Sequence, residues 1–300
     1  MRILRFSAEG SRPHLGVLTG DRIAFPIGNA VAESGDLVAL LQQGAPGLDE
    51  FARLAHASTT TFDVGAVNVL APLPNPGNVV GVGLNYKSHQ KELGVEEPTE
   101  PTIFAKFINT IIGPGETIQI PEAAPKRVDY EAELAVIIGR NARSVDASDA
   151  LSYVAGYMVA NDVSARDWQT KKPNGQWVLG KSFDTFLPLG PALVTSDEVG
   201  DPGNLEVTCR VSGEVMQIGR TSEMLFGVAA LIAYLSQVIT LAPGDVILTG
   251  TPGGVGMVRT PPRYLRPGDV VETSVEHIGT LTNPVGEASS SPSTVTLKSP

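Results

Sequence analysis

The 300-residue sequence contains one cysteine and lacks any long uninterrupted apolar run. The single Cys209 excludes an internal disulfide and a zinc site built from thiolates, and its place in the alternating stretch LEVTCRV is typical of a core residue. No run approaches the roughly eighteen apolar residues that a membrane helix needs. The N-terminal MRILRFSAEG also lacks the apolar block of a signal peptide, so we expect a cytoplasmic protein with no membrane partner.

Basic residues are scarce. The chain has 22 Lys and Arg against 32 Asp and Glu, a formal net charge of -10. Proteins that bind the phosphate backbone usually present a basic face, so a nucleic-acid partner is not expected. The hydrophobic fraction of 42% and the charged fraction of 18% are those of an ordinary globular protein.

Prolines in the stretch PLPNPGN, which begins at Pro72, mark a candidate domain boundary. We predict a small N-terminal α+β domain over residues 1–72 and a main domain over 73–284. The last stretch, residues 285–300, is rich in Ser and Pro and is predicted to be a tail.

The main domain reads as a series of short strands, among them TIFAKF, DYEAELAVII and LEVTCRVSGEVM. SEMLFGVAALIAYLSQVI has the apolar spacing of a helix packed on a sheet, and DASDALSYVA predicts a shorter helix. Strands outnumber helices without regular alternation, which favours a β-rich α+β fold over a doubly wound parallel sheet.

Two acids interrupt the apolar stretch DYEAELAVII. Because side chains alternate along a strand, Glu131 and Glu133 point to the same side. One interpretation is the solvent-exposed face of a sheet. The other adds Asp162, at the end of the apolar run AGYMVAND, and brings three carboxylates together around a hard cation such as Mg²⁺ or Mn²⁺. Lys181 and Lys106 are candidate partners for the remaining negative charge.

The segment GVGLNYKSHQKELGVEE predicts a loop followed by a short helix that ends at Gly94. On that helix His89 and Glu92 lie three residues apart and face the same way, as in a general base oriented by a carboxylate. The alternative is an exposed histidine on a polar helix end.

The glycine-rich LTGTPGGVG, residues 248–256, lacks the Lys-Ser/Thr ending of a phosphate-binding loop. Its backbone amides and the Thr251 hydroxyl are predicted to approach a carboxylate of a ligand. The alternative is a tight turn with no further role.

Seven ordered motifs together resemble the fumarylacetoacetate hydrolase family: GLNYKSHQKE, PTIFAKF, DYEAELAVIIG, NDVSARDWQ, GKSFDTFLPLGP, LTGTPGGVG and LRPGDVVETSVEHIG. The resemblance extends from residue 73 to about 284. The residues around GKSFDTF are similar to those of one subgroup, the fumarylacetoacetate hydrolase domain-containing proteins with a small N-terminal domain. The whole sequence is also similar to bacterial hydrolases of 2,4-diketo acids.

The resemblance implies a mixed β-roll catalytic domain and a homodimer. Mg²⁺ or Mn²⁺ is expected at the residues that match the family's metal ligands, Glu131, Glu133 and Asp162. His89 and Glu92 are expected to activate water, with Lys181 as a third catalytic residue. The expected substrate contacts are Tyr86, Lys106, Arg166, Gln169 and Thr251. Leu84 stands where acylpyruvate-cleaving relatives have an arginine, so that contact does not carry over.

We therefore predict a metal-dependent enzyme that acts on 2-oxo acids, of the acylpyruvate or 2,4-diketo type, through a metal-bound enolate, with hydrolysis of a carbon-carbon bond as the main reading. Keto-enol tautomerisation or decarboxylation of oxaloacetate, or a related isomerisation, is the alternative that shares the same enolate. A calcium-stabilised binding module is the non-enzymatic alternative.

Overall fold

The structure, a computed structural model, describes residues 1–288 and contains nineteen strands and eight α-helices in that range. The strands, numbered in chain order, are β1 Arg2–Ser7, β2 His14–Thr19, β3 Arg22–Ala24, β4 Thr61–Asp63, β5 Asn68–Leu70, β6 Val79–Gly83, β7 Thr102–Ala105, β8 Ile111–Ile112, β9 Ile118–Ile120, β10 Val128–Asp129, β11 Ala132–Ile138, β12 Val154–Asn161, β13 Ser164–Ala165, β14 Leu187–Thr195, β15 Glu206–Val211, β16 Glu214–Arg220, β17 Val246–Leu248, β18 Val270–Val275 and β19 Gly279–Glu287. The helices are α1 Ala30–Ser34, α2 Leu37–Gln42, α3 Gly44–Ala57, α4 Lys87–Leu93, α5 Arg166–Lys171, α6 Trp177–Gly180, α7 Ser196–Val199 and α8 Val228–Val238.

Most strands belong to one large sheet. Its order is β4-β3-β2-β1-β14-β12-β11-β17-β6-β7, with β5 added beside β1 and β8 beside β14. A second sheet has the order β16-β15-β18-β19-β9, and β10 pairs with β13. Pairing is mainly antiparallel, with parallel pairs at β17–β6, β14–β8 and β19–β9. The predicted β-rich α+β fold is confirmed, and the regular parallel sheet is absent from residues 1–288.

Strand β11 lies in the middle of the large sheet, between β12 and β17, and is buried on both faces. Leu134 and Val136 pack into the core shared with the second sheet and α8. Ala135 and Ile137 point to the opposite side, where they pack into the core shared with α2 and α3. The interpretation of this strand as half exposed is therefore wrong, because helices cover the face that carries its acids.

The N-terminal residues join the large sheet directly. Strand β1 pairs with β14, with Arg2 opposite Val194, so β1 to β5 extend the sheet of the main domain. The boundary at residue 72 stays a prediction about folding units. Strand β19 runs to Glu287 and pairs with β9, so the first three residues of the predicted tail are part of a sheet. Residues 289–300 of that tail lie outside the described residues.

Of two helices predicted in the main domain, one is present and the other forms only a short 3-10 helix. Helix α8 is present but begins at Val228, because residues 221–223 form a separate 3-10 turn. DASDALSYVA forms only the 3-10 helix Ala150–Tyr153, since β12 starts at Val154 and leaves no room for further turns. None of the helices within residues 1–288 is long and apolar enough to cross a membrane.

Gly156 provides a test of the packing between β12 and β14. A Cβ atom there would lie 2.1 Å from the carbonyl oxygen of Val194, in a backbone that both neighbouring strands hold in place. We expect Gly156→Ala to lower the free energy of unfolding by about 3 kcal/mol, at the upper end for overpacking.

The matched control for Gly156→Ala is Gly227→Ala, which adds the same atom where nothing lies within 4 Å. Gly227 is the N-cap of α8, so the control should lower stability by no more than about 1 kcal/mol. Both values come from urea denaturation. Equal losses in the two variants would contradict the described packing.

Candidate active site

A cavity of about 120 Å³ lies where the start of β11, helices α4, α5 and α6, and the loop after β17 meet. Its polar lining is His89, Glu131, Glu133, Arg166, Gln169, Thr170, Lys181 and Thr251. Its apolar lining includes Val82, Leu84, Leu93, Trp177 and Met257. The site thus collects residues from six separate stretches of the chain.

The three predicted metal ligands come together beside this cavity. Glu131, Glu133 and Asp162 are all buried, and one carboxylate oxygen from each lies within 4.8 Å of the others. The pairing of β11 with β12 brings them together, since Ala132 lies opposite Asn161 and Asp162 follows directly. The predicted convergence of the three acids is confirmed.

Lys181 bridges two of these acids. Its Nζ donates to Glu131 Oε2 at 2.9 Å, to Asp162 Oδ2 at 2.5 Å and to Ser164 Oγ at 2.8 Å. Burial alone would lower the pKa of Lys181, but the attraction of the two carboxylates outweighs it and the net shift is upward. Lys181 is therefore a persistent buried cation.

Lys106 contacts Asp162 of the same cluster from outside the cavity. Its Nζ donates to Asp162 Oδ1 at 2.7 Å and to the carbonyl of Val163 at 3.2 Å. Burial lowers the pKa of Lys106, and the attraction of Asp162 offsets only part of that shift. Lys106 does not line the cavity, so its position is that of a partner for Asp162 more than of a substrate contact.

Arg166 holds the outer side of Glu131. Its Nη1 lies 2.7 Å from Glu131 Oε1 and 2.8 Å from Gln169 Oε1, and its Nε donates to Asp129 Oδ2 at 2.9 Å. Burial raises the pKa of Glu131, but Lys181 and Arg166 outweigh it and the net shift is downward. The Nη2 group of Arg166 has no hydrogen-bond partner within residues 1–288.

Glu133 is the acid whose charge is least compensated. Burial raises its pKa, and the negative charges of Asp162 and Glu131 raise it further. Its hydrogen bond comes from the backbone N–H of Gly250, at 2.8 Å, and no basic side chain of residues 1–288 hydrogen-bonds to it. A cation between the three acids would remove this repulsion.

The charges of the buried cluster support the same conclusion. Four buried carboxylates, Asp129, Glu131, Glu133 and Asp162, face three buried basic groups, Lys106, Arg166 and Lys181. One negative charge is left over when all are ionised, and a divalent cation would change the excess to one positive charge. Because all three ligand candidates are carboxylates, Mg²⁺ or Mn²⁺ fits the donor set.

The buried His89 and the half-buried Glu92 form a pair on α4. His89 Nδ1 lies 2.6 Å from Glu92 Oε1, and the side chain lines the cavity. Glu92 Oε2 also accepts the N–H of Gly254 at 2.6 Å, and Ser88 Oγ accepts that of Gly253 at 3.2 Å. The predicted helix, its end at Gly94 and the pairing are confirmed, while the reading of His89 as exposed is wrong because α4 docks on the glycine-rich segment.

The amides of that glycine-rich segment are used within the protein. Gly250 donates to Glu133 and Gly254 to Glu92, so these groups hold protein carboxylates and not, as expected, one from a ligand. Thr251 lines the cavity, but its Oγ1 donates to the carbonyl of Ala132 at 2.8 Å and accepts from Gln217 Nε2 at 2.7 Å. The segment therefore holds Glu133, one of the metal-ligand candidates, and Glu92, the partner of His89.

Of two other expected substrate contacts, Gln169 lines the cavity and Tyr86 does not. Gln169 lines the cavity and accepts a hydrogen bond from Arg166. Tyr86 is fully buried and is not part of the cavity lining; within residues 1–288 its hydroxyl has no hydrogen-bond partner. Burial raises the pKa of Tyr86, and nearby Glu133 adds to the effect.

Sequence reasoning missed three residues that shape the site, Asp129, Trp177 and Met257. Asp129 carried a usable signal, because it continues the alternation of Glu131 and Glu133 by one step toward the N-terminus. Trp177 and Met257 carried none, since an aromatic or a methionine at such a position is equally compatible with ordinary packing.

Residues 78–286 match the family described as Fumarylacetoacetate (FAA) hydrolase C-terminal. The chain belongs to this family. It is 46% identical over 288 residues to the human protein named Oxaloacetate tautomerase FAHD2A, mitochondrial, covering 95% of this chain and 91% of that protein.

Solved structures agree with this assignment. A 5-carboxymethyl-2-hydroxymuconate delta-isomerase from Mycobacterium smegmatis is 37% identical, with a TM-score of 0.76 over 96% of this chain and 100% of that chain. A maleylpyruvate hydrolase from Sphingobium sp. SYK-6, solved with manganese (II) ion and pyruvate, is 27% identical, with a TM-score of 0.80 and coverage of 96% and 100%. Isomerases and hydrolases thus share this fold.

Substitution of Glu133 tests the metal site directly. We expect Glu133→Gln to weaken Mn²⁺ binding by about 10-fold or more, because one anionic ligand is lost. The metal-free variant should keep or raise its melting temperature, since the buried and uncompensated charge is removed. Mn²⁺ affinity is read from the electron paramagnetic resonance signal of the free ion, and stability from thermal unfolding with chelator.

The matched control for Glu133→Gln is Asp245→Asn, another buried carboxylate, which accepts hydrogen bonds from Asn78 and Ala242 away from the site. It should lower the melting temperature and leave Mn²⁺ affinity unchanged. A Glu133→Gln protein that binds Mn²⁺ as tightly as the parent would show that the ion lies elsewhere.

Proposed function

We propose that the protein is a Mg²⁺- or Mn²⁺-dependent tautomerase that interconverts the keto and enol forms of oxaloacetate. The observation that carries this proposal is the 46% identity, over 95% of the chain, to a protein named as an oxaloacetate tautomerase. The geometry of the cavity supports it in three respects: size, charge and the placement of a proton-transfer group.

The size of the cavity favours a small substrate. Pockets for drug-sized ligands occupy about 300 Å³ or more, whereas this cavity occupies about 120 Å³. Trp177, Leu84 and Met257 are among the side chains that enclose it. A four-carbon acid suits these walls better than a long diketo acid.

The charge favours a dicarboxylate. Glu131, Glu133 and Asp162 would hold the divalent ion, which when bound supplies Lewis-acid stabilisation of the negative charge that develops on an enolising 2-oxo acid. Arg166 lines the cavity, and its buried Nη2, which has no hydrogen-bond partner within residues 1–288, would bind the carboxylate at the far end of the substrate. Lys181 adds a second persistent positive charge.

Proton transfer is assigned to His89. In the keto-to-enol direction the C3–H bond breaks, the proton moves to the free Nε2 of His89, and the bonding electrons form the C2–C3 double bond. The 2-oxo oxygen then takes up a proton from solvent, and His89 releases the proton on Nε2 to solvent, which returns the enzyme to its starting state. Glu92, bonded to Nδ1, orients the ring and stabilises the imidazolium that forms. Lys181 compensates charge on the oxygen side while it stays protonated.

Hydrolysis of a carbon-carbon bond is the second candidate. The His89–Glu92 pair is also the arrangement that activates water, and a relative with this fold is named a maleylpyruvate hydrolase. The two candidates differ in whether water enters the cavity with the substrate. Homodimer formation and a cytoplasmic location remain predictions, for which light scattering of the purified protein and cell fractionation are the measurements.

Metal removal separates an enzyme from a calcium-stabilised binding module. We expect the chelator-treated protein to lose acceleration of oxaloacetate enol decay and to regain it with Mg²⁺ or Mn²⁺. The decay is followed by the ultraviolet absorbance of the enol, and pyruvate release from an acylpyruvate is followed in parallel. Metal-dependent release of pyruvate without enol decay would assign hydrolysis instead.

Replacement of His89 tests the proton-transfer step. We expect His89→Ala to lower kcat for enol decay by about 10²- to 10⁴-fold, the usual contribution of a general acid or base. Mn²⁺ affinity should stay within twofold, because His89 is not a ligand candidate. His56→Ala, an exposed histidine on α3, is the control. Parental activity in His89→Ala would show that another group moves the proton.

A further inference from the structure

Asp129 is a fully buried carboxylate next to the candidate metal site, and it has no role in the proposed reaction. Its Oδ1 accepts the N–H groups of Tyr130 at 3.0 Å and Gly256 at 2.7 Å. Its Oδ2 accepts Arg166 Nε at 2.9 Å and the N–H of Met257 at 3.0 Å. Four donors thus converge on one side chain, which is far more than burial alone requires.

Arg166 is the first group that this carboxylate orients. A guanidinium is planar, so a bond that holds Nε also sets the directions of Nη1 and Nη2. Nη1 lies on Glu131 Oε1, at 2.7 Å, and the unpartnered Nη2 belongs to a side chain that lines the cavity. Asp129 therefore reaches both a metal-ligand candidate and the cavity through one rigid side chain.

The segment around Met257 is the second group. Asp129 accepts the two consecutive N–H groups of Gly256 and Met257, and Met257 lines the cavity. The approach is close, since a Cβ at Gly256 would lie 2.6 Å from Asp129 Oδ1 and 2.0 Å from the carbonyl oxygen of Arg263. The wall of the cavity and the orientation of Arg166 thus depend on the same carboxylate.

We propose that Asp129 is a positioning residue that acts through Arg166, holding Glu131 in the orientation for metal binding and aiming Nη2 at the far carboxylate of the substrate. The pairing of β10 with β13 supports this arrangement, because Asp129 lies opposite Ser164 and Arg166 follows two residues later. The metal part of this inference needs no particular substrate. The carboxylate part rests on the proposed function.

The first test is Mn²⁺ affinity. We expect Asp129→Asn to weaken Mn²⁺ binding by about 10- to 100-fold, the range for partners that orient metal ligands. In an Arg166→Gln background the same change should have an effect below about twofold, because its route to Glu131 is already broken. A folded Asp129→Asn that binds Mn²⁺ like the parent, or full additivity of the two substitutions, overturns the proposal.

The second test separates positioning from general stability. Asp245→Asn should lower the melting temperature without changing Mn²⁺ affinity, whereas Asp129→Asn should change both. If Asp129→Asn fails to fold, nuclear magnetic resonance of the parent takes its place. The Nε–H of Arg166, identified by its loss in Arg166→Gln, should exchange slowly with water. Exchange as fast as that of surface arginines overturns the proposal.

The kinetic test compares two ligands of different length, oxaloacetate and oxalate, at saturating Mn²⁺. Oxaloacetate has a carboxylate beyond the 2-oxo acid unit, while oxalate has no group that reaches further. We expect Asp129→Asn to raise KM for oxaloacetate about 10-fold or more and to change the inhibition constant of oxalate less than threefold. Equal changes for both ligands overturn the aiming of Nη2. If the parent lacks oxaloacetate activity, the proposed function fails while the Mn²⁺ test still stands.

Discussion

The central constraint in this protein is the burial of more negative than positive charge in one place. Asp129, Glu131, Glu133 and Asp162 lie beside Lys106, Arg166 and Lys181, and all seven side chains are almost completely removed from solvent. Removing one member of such a network leaves an uncompensated charge in a medium of low dielectric constant. Each of these side chains therefore has at least one hydrogen-bond or ion-pair partner. The excess negative charge lies at the acids that line the cavity, Glu131 and Glu133.

The fold brings these charged side chains together at the ends of paired strands. The pairing of β11 with β12 places Glu131 and Asp162 at the same edge, and the pairing of β10 with β13 places Asp129 near Arg166. The segment after β17 then contributes backbone N–H groups to Glu133, Glu92 and Asp129, from Gly250, Gly254 and Gly256 respectively. Backbone donors carry no net charge, so they orient carboxylates without cancelling the charge that binds a cation.

Local patterns in the sequence predicted part of this site. Alternation placed Glu131 and Glu133 on one side, and a spacing of three paired His89 with Glu92, because both relations depend on a single element. Periodicity could not predict what covers each side of β11. Helices α2 and α3, more than seventy residues away in sequence, bury the side that looked solvent-exposed. The role of Asp129 was missed for a similar reason, since its partners come from two other stretches.

The position of α4 bears on which of the proposed reactions the site would support. Glu92 and Ser88 accept the N–H groups of Gly254 and Gly253, so two hydrogen bonds hold the helix that carries His89 against the glycine-rich segment. The proposed tautomerisation needs only a proton moved between C3 and the medium through His89, and this position of α4 would not impede it. Hydrolysis needs a water molecule beside the substrate, in a cavity of about 120 Å³. The His89–Glu92 pair would thus support the proposed proton transfer with α4 in this position, and the hydrolysis considered as the second candidate would need additional space beside Trp177, Leu84 and Met257.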